Sequence, residues 1–173
     1  MSELSNKLNG HSANDELRTP GYLFNWLCRR FRFTFDAAAS NDNHRCEVWA
    51  TADGVYGLDQ DCWGRTGTAY SKLSEKDGLS VPWAHQRVFV NPPYSRPLLG
   101  QFITKAIEER DAADIIVMLV KCDTSTENFR LLQQYSHIEY LRRVRYDDED
   151  GNPLPAATFA SCLAILRPSE PRP

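Results

Sequence analysis

Hydrophobic positions in this chain fall into short runs and stripes, and their spacing switches repeatedly between helix and strand periods. Leu23, Leu27 and Phe31 recur every four residues behind Thr19-Pro20. This predicts a helix to about Phe31, with the Thr19 hydroxyl as cap and Pro20 in the first turn. Phe33-Thr34-Phe35-Asp36 alternates and predicts a strand, and Cys46-Glu47-Val48-Trp49 a second, shorter one. Val88-Phe89-Val90 closes a buried strand, because Pro92 and Pro93 forbid its continuation. Leu98, Leu99, Phe102, Ile103, Ala106 and Ile107 mark an amphipathic helix running to about Arg110. The unbroken apolar run 115–120 has the character of a parallel strand buried on both faces. A helix over 124–135, capped by Asp123 or Thr124, a strand over 138–141 and a closing strand over 159–166 complete the pattern.

Strand, helix, strand, helix with short connections predicts an α/β fold: a mostly parallel sheet covered on both faces. The final strand is expected to return antiparallel to its predecessor and add an antiparallel edge. Residues 1–17 are polar and form an expected leader, 18–168 one domain, and 169–173 a Pro-rich tail. The segment 52–86, rich in Gly, Asp and Ser, predicts a long irregular loop of functional interest.

A hydrophobic content of 42% suits one core, and the net charge of −3 excludes binding to nucleic acid by bulk positive charge. A nucleic-acid partner would have to meet a local basic patch. The cysteine count is odd, with no two standing two residues apart, which predicts reduced thiols in a cytoplasmic protein. His44, Cys46 and Cys62 lack a fourth ligand at finger-like spacing, so no metal is expected. The longest apolar run is too short to cross a bilayer.

Candidate chemistry concentrates in Asn91-Pro92-Pro93-Tyr94, at the carboxyl end of a strand, where open α/β sheets keep their ligand sites. The exocyclic amine of adenine or cytosine is a poor nucleophile, since its lone pair is delocalised into the ring. The Asn91 side-chain oxygen and the Pro92 carbonyl can hold its two hydrogens and favour the tetrahedral nitrogen that attacks an electrophilic methyl group. Pro93 stiffens the loop, and Tyr94 can stack on a base that has left the duplex. Asp36-Ala37 occupies the first strand-to-helix turn, where small residues admit a ligand and an acid can take up hydroxyl or ammonium groups. Glu47 is a candidate for a ribose, and Asp77-Gly78 for a cofactor base. Arg87, Arg96 and Lys105 near the clamp, and Arg142, Arg143 and Arg145 beside Tyr146, are candidate phosphate contacts.

Thr19-Pro20, Phe35-Asp36-Ala37-Ala38-Ala39-Ser40, Asp77-Gly78-Leu79 with Trp83, and Asn91-Pro92-Pro93-Tyr94 together resemble the phage-type DNA N6-adenine methyltransferases, from about Arg18 to Arg167. The resemblance implies a Rossmann-like, S-adenosylmethionine-dependent fold with seven strands ending in an antiparallel hairpin, and methyl transfer to the 6-amino group of adenine in double-stranded DNA. It implies that Asn91, Pro92 and Tyr94 hold the target base, and that Asp36, Ala37, Thr19, Pro20 and Asp77 hold the cofactor. The cofactor turn departs from the usual fingerprint in having no glycine. Cytosine N4 or RNA adenine as substrate, and a silent binding protein retaining the fold, are the alternatives.

Overall fold

The computed structural model describes residues 17–58, 70–148 and 150–169. Its elements in chain order are α1 (Gly21–Phe31), β1 (Phe35–Asp36), β2 (Val48–Ala50), β3 (Val55–Leu58), β4 (Tyr70–Ser74), β5 (Arg87–Val90), α2 (Leu98–Glu109), β6 (Ile115–Lys121), α3 (Glu127–Tyr135), β7 (His137–Tyr140) and β8 (Ser161–Leu166). They build one sheet in the order β4-β3-β2-β1-β5-β6-β8-β7. The centre, β2-β1-β5-β6, is parallel, and both flanks are antiparallel.

Strand alternation divides the core between the two faces. Val88, Val90, Ile116, Met118 and Val120 point to the face covered by Phe102, Ile103 and Ala106 of α2 and Phe129 and Leu132 of α3. Phe89, Ile115, Val117 and Leu119 point the other way, onto Leu23, Phe24, Leu27 and Phe31 of α1. This sandwich answers the expected parallel sheet covered on both sides.

Three expectations are corrected. The sheet has eight strands rather than seven, because β3 and β4 extend it past β2 as an antiparallel ribbon. Both lie inside the segment 52–86 expected to be irregular; Tyr56 packs on Trp49 with ring centroids 6.0 Å apart, and this aromatic contact holds the ribbon to the sheet. The last strand is no edge: β8 inserts between β6 and β7, and its fully buried sequence requires cover on both faces and both sides.

The caps also differ. Pro20 is the N-cap of α1 and no side chain caps it; Thr19 is buried and turned to another use. In α3 the Thr126 hydroxyl, not Asp123 or Thr124, accepts the Phe129 N–H at 3.3 Å. Among the described residues no helix is long and apolar enough to cross a membrane.

Candidate active site

Asn91 follows Val90 at the carboxyl end of β5, beside the ends of β1 and β6. Two contacts orient its amide. Nδ2 donates to the Leu17 carbonyl at 3.1 Å, and Oδ1 accepts from the Tyr94 hydroxyl at 3.4 Å. The Tyr94 hydroxyl also meets the Tyr146 hydroxyl at 3.1 Å, which meets Ser161 Oγ at 3.1 Å. Burial holds both phenols above their ordinary pKa, so they remain protonated hydrogen-bonding groups at neutral pH. The Lys121 ammonium lies 4.7 Å from the centroid of the Tyr94 ring and 4.5 Å from that of Phe159. With its hydroxyl tied inward, Tyr94 has only its ring left to offer a ligand.

Asp36 closes β1, only 3% exposed. Its carboxylate accepts the Arg45 N–H at 3.0 Å and the Ala38 N–H at 3.5 Å. Desolvation nevertheless dominates and raises its pKa to about 7. The Arg45 guanidinium sits in the same wall, donates to the Thr19 carbonyl, and keeps a buried Nε that has no partner among the described residues. Such an orphan donor calls for an acceptor. Arg18 reaches across the mouth to Asp42 at 2.7 Å, while its backbone exchanges two hydrogen bonds with Asp147, at 3.1 and 3.0 Å. The segment 17–19 thereby ties Asn91, Arg45, Asp42 and Asp147 together.

These groups surround a cavity of about 420 Å³, within the usual range for small-molecule sites. Thr19, Asp36, Asn91 and Pro93 line it, as do Arg18, Asp42 and Arg45, which sequence reasoning missed. Asp42 and Arg45 belong to the turn after β1 and Arg18 to the segment before α1, and their charge alone did not distinguish them from solvated surface. Asp36 and Asp42 present acceptors for ammonium or hydroxyl groups, and Arg45 offers a donor for a carboxylate. Pro20, Ala37, Pro92 and Asp77 do not reach this cavity. Ala37 is buried with its N–H on the Phe89 carbonyl at 3.0 Å. Asp77 caps its own turn through the Ser80 N–H at 2.8 Å, and Gly78 seats that turn against Ala37. Glu47 is exposed and lies off the cavity. Cys62 lies outside the described residues, among which no three His, Cys, Asp or Glu side chains converge as metal ligands.

A second cavity, about 810 Å³, opens on the other side of the clamp, with Tyr94, Arg96, Lys121 and Asp123 in its wall. Arg96 is exposed there. Arg142, Arg143 and Arg145 are exposed too, because they alternate with the buried Val144 or precede the buried Tyr146. Arg87 is not near the clamp. It begins β5 at the opposite end of the strand, and its Nε donates to the Phe31 carbonyl at 2.6 Å, closing the end of α1. Lys105 is engaged internally: it pairs with Glu109, whose other oxygen accepts the Trp83 N–H at 3.0 Å.

Two comparisons bear on this arrangement. Over 147 residues the chain is 29% identical to the DNA N-6-adenine-methyltransferase of Escherichia phage T1, covering 82% of this chain and 50% of that protein. The chain thus spans about half the length of the curated relative it matches. The family model for DNA N-6-adenine-methyltransferase (Dam) matches residues 70–172, which include the clamp and everything that supports Tyr94 from β6 to β8. The chain belongs to the DNA N-6-adenine-methyltransferase (Dam) family.

Proposed function

We propose that this chain methylates the 6-amino group of adenine in DNA, with S-adenosylmethionine as donor bound in a Rossmann-like sheet. The observation that carries this is the position of the clamp: Asn91 and Pro93 line one cavity, and Tyr94 lines another. A donor and an acceptor can then lie on either side of one polar loop, which is the alignment that methyl transfer between two bound molecules needs.

The first cavity fits the donor. Its carboxylates suit an ammonium and a ribose, its unpartnered Arg45 Nε suits a carboxylate, and Ala38 and Ala39 leave room for close approach. Thr19 would frame the methionine end, with Pro20 behind it fixing the start of α1, and Asp77 with Gly78 would support the turn at Ala37 from behind. The donor supplies an already activated methyl group on a sulfonium. The remaining work falls to the chain.

Adenine must leave the duplex to reach Tyr94, and the ring face not covered by Lys121 is its stacking surface. Asn91 Oδ1 and the Pro92 carbonyl accept the two amine hydrogens and stabilise the nitrogen as it becomes tetrahedral. The Tyr94 hydroxyl and the Leu17 carbonyl prevent Asn91 from turning its amide the wrong way round. Arg96, beside the second cavity, and Arg142, Arg143 and Arg145 would hold phosphates.

The test uses methyl-labelled S-adenosylmethionine, duplex DNA and nucleoside analysis. The expected product is N6-methyladenine, abolished by Asn91→Ala while stabilisation by the donor in thermal unfolding persists. Label on cytosine N4 would overturn the base assignment. Full activity in Asn91→Ala would end the clamp mechanism.

A further inference from the structure

The first turns of α1 and the segment 141–144 enclose a groove of about 290 Å³ on the α1 face of the sheet. Tyr22 and Trp26 stand on one side, 63% and 44% exposed, and Arg142 and Arg143 on the other, with Leu23 and Val144 between them. The exposure of Trp26 is unusual here, since Trp49 and Trp83 are both fully buried. Among the described residues no acid lines the groove. Nearby, Glu139 is already paired with Arg30 at 2.5 Å, and neither Arg142 nor Arg143 has a carboxylate partner among the described residues. In a chain of net charge −3 such a surface is a local exception.

Its placement ties it to the clamp. Segment 141–144 leaves the end of β7, which pairs with Cys162 as does Val120, so it emerges at the sheet edge that carries Asn91. Two residues beyond Val144, Tyr146 bonds to Tyr94. On the other wall, Tyr22 follows Thr19 of the first cavity by three residues. The groove therefore opens at the same edge as the site.

We propose that this groove is a second nucleic-acid site, which stacks an unpaired base of the DNA on Trp26 and Tyr22 and holds its phosphates with Arg142 and Arg143. The proposal rests on the DNA reading above and adds a stacking platform to it. Turning one base out of a duplex leaves neighbouring nucleotides without their stacking and pairing partners. Exposed aromatic faces beside free guanidiniums are the chemistry that takes up such nucleotides, with little regard for sequence.

Fluorescence anisotropy with a labelled single-stranded oligothymidine tests it, since that probe carries no adenine for the clamp. With the full chain, Trp26→Ala, Tyr22→Ala and the double change Arg142→Ala with Arg143→Ala should each weaken binding about tenfold. Trp26→Phe should restore most of the loss, and the donor-induced rise in unfolding temperature should be unchanged throughout, which separates the effect from misfolding. Equal affinity in Trp26→Ala and Tyr22→Ala overturns the proposal. So does a wild-type dimer that Trp26→Ala converts to monomer, which would assign the groove to a second copy of the chain. Oligothymidine binding lost in the variants, with no methyl transfer by the wild type, keeps the groove and defeats the methyltransferase reading. Methyl transfer with unaffected oligothymidine binding does the reverse.

Discussion

Asp36 carries the sharpest consequence at the scale of a single residue. Its burial at the end of β1 raises its pKa from 3.8 to about 7. The folded chain then holds a proton that the unfolded chain has released, so the stability this group contributes is complete below 3.8 and is lost as pH rises through about 7. Near neutrality and above, the free protein keeps a carboxylate in a poorly hydrated wall, an arrangement that favours a cationic ligand over a stable apoprotein. Asp36→Asn should raise the urea midpoint more at about pH 8 than at about pH 5, while weakening donor binding at both. In the wild type, donor affinity measured by titration calorimetry should fall about tenfold per pH unit below about pH 7, because binding must then expel the proton. An affinity flat across that range would show that the carboxylate does not meet the donor's charge.

At the scale of elements, the site depends on pieces distant in sequence being pressed together. The turn at Asp77 supports the turn at Ala37 from outside. A Cβ added to Gly78 would stand 2.0 Å from the Ala37 carbonyl oxygen, a backbone atom that cannot move without shifting β1. Trp83 pins the same turn through Nε1 to the Gly78 carbonyl at 2.9 Å. Gly78→Ala should therefore lower stability by about 1–3 kcal/mol and reduce donor affinity, since Asp36 and Ala38 ride on β1. Urea unfolding and donor-induced thermal stabilisation would measure the two effects. A variant that loses neither would mean that the turn is free to move away.

At the scale of the whole molecule, charge sets the character of any DNA complex. The chain is net acidic, and the candidate phosphate contacts left facing outward are Arg96, Arg142, Arg143 and Arg145. Arg87 and Lys105 are used inside the fold, one closing α1 and the other pairing with Glu109. Duplex binding should accordingly be modestly salt-dependent, with a log–log slope between about −2 and −4. A much steeper slope would require cations beyond these. Helices cover both faces of the sheet, and both cavities that share the clamp lie at the carboxyl edge of the strands.

The sequence alone determined the helices, the central strands and the clamp, because each is a local matter of period or of backbone chemistry. Leu23, Leu27 and Phe31 must share a face, residues 115–120 must be buried, and Pro92 and Pro93 must end a strand. Only the tertiary structure decided what depends on pairing between distant segments. The ribbon of β3 and β4 and the insertion of β8 beside β6 are choices of partner, which periodicity does not encode. The same holds for Arg45 reaching Asp36 and Thr19, for Tyr146 reaching Tyr94, and for Arg87 turning to Phe31. A charged or phenolic side chain looks alike in sequence whether it faces water or a buried partner, and folding alone brings that partner within reach.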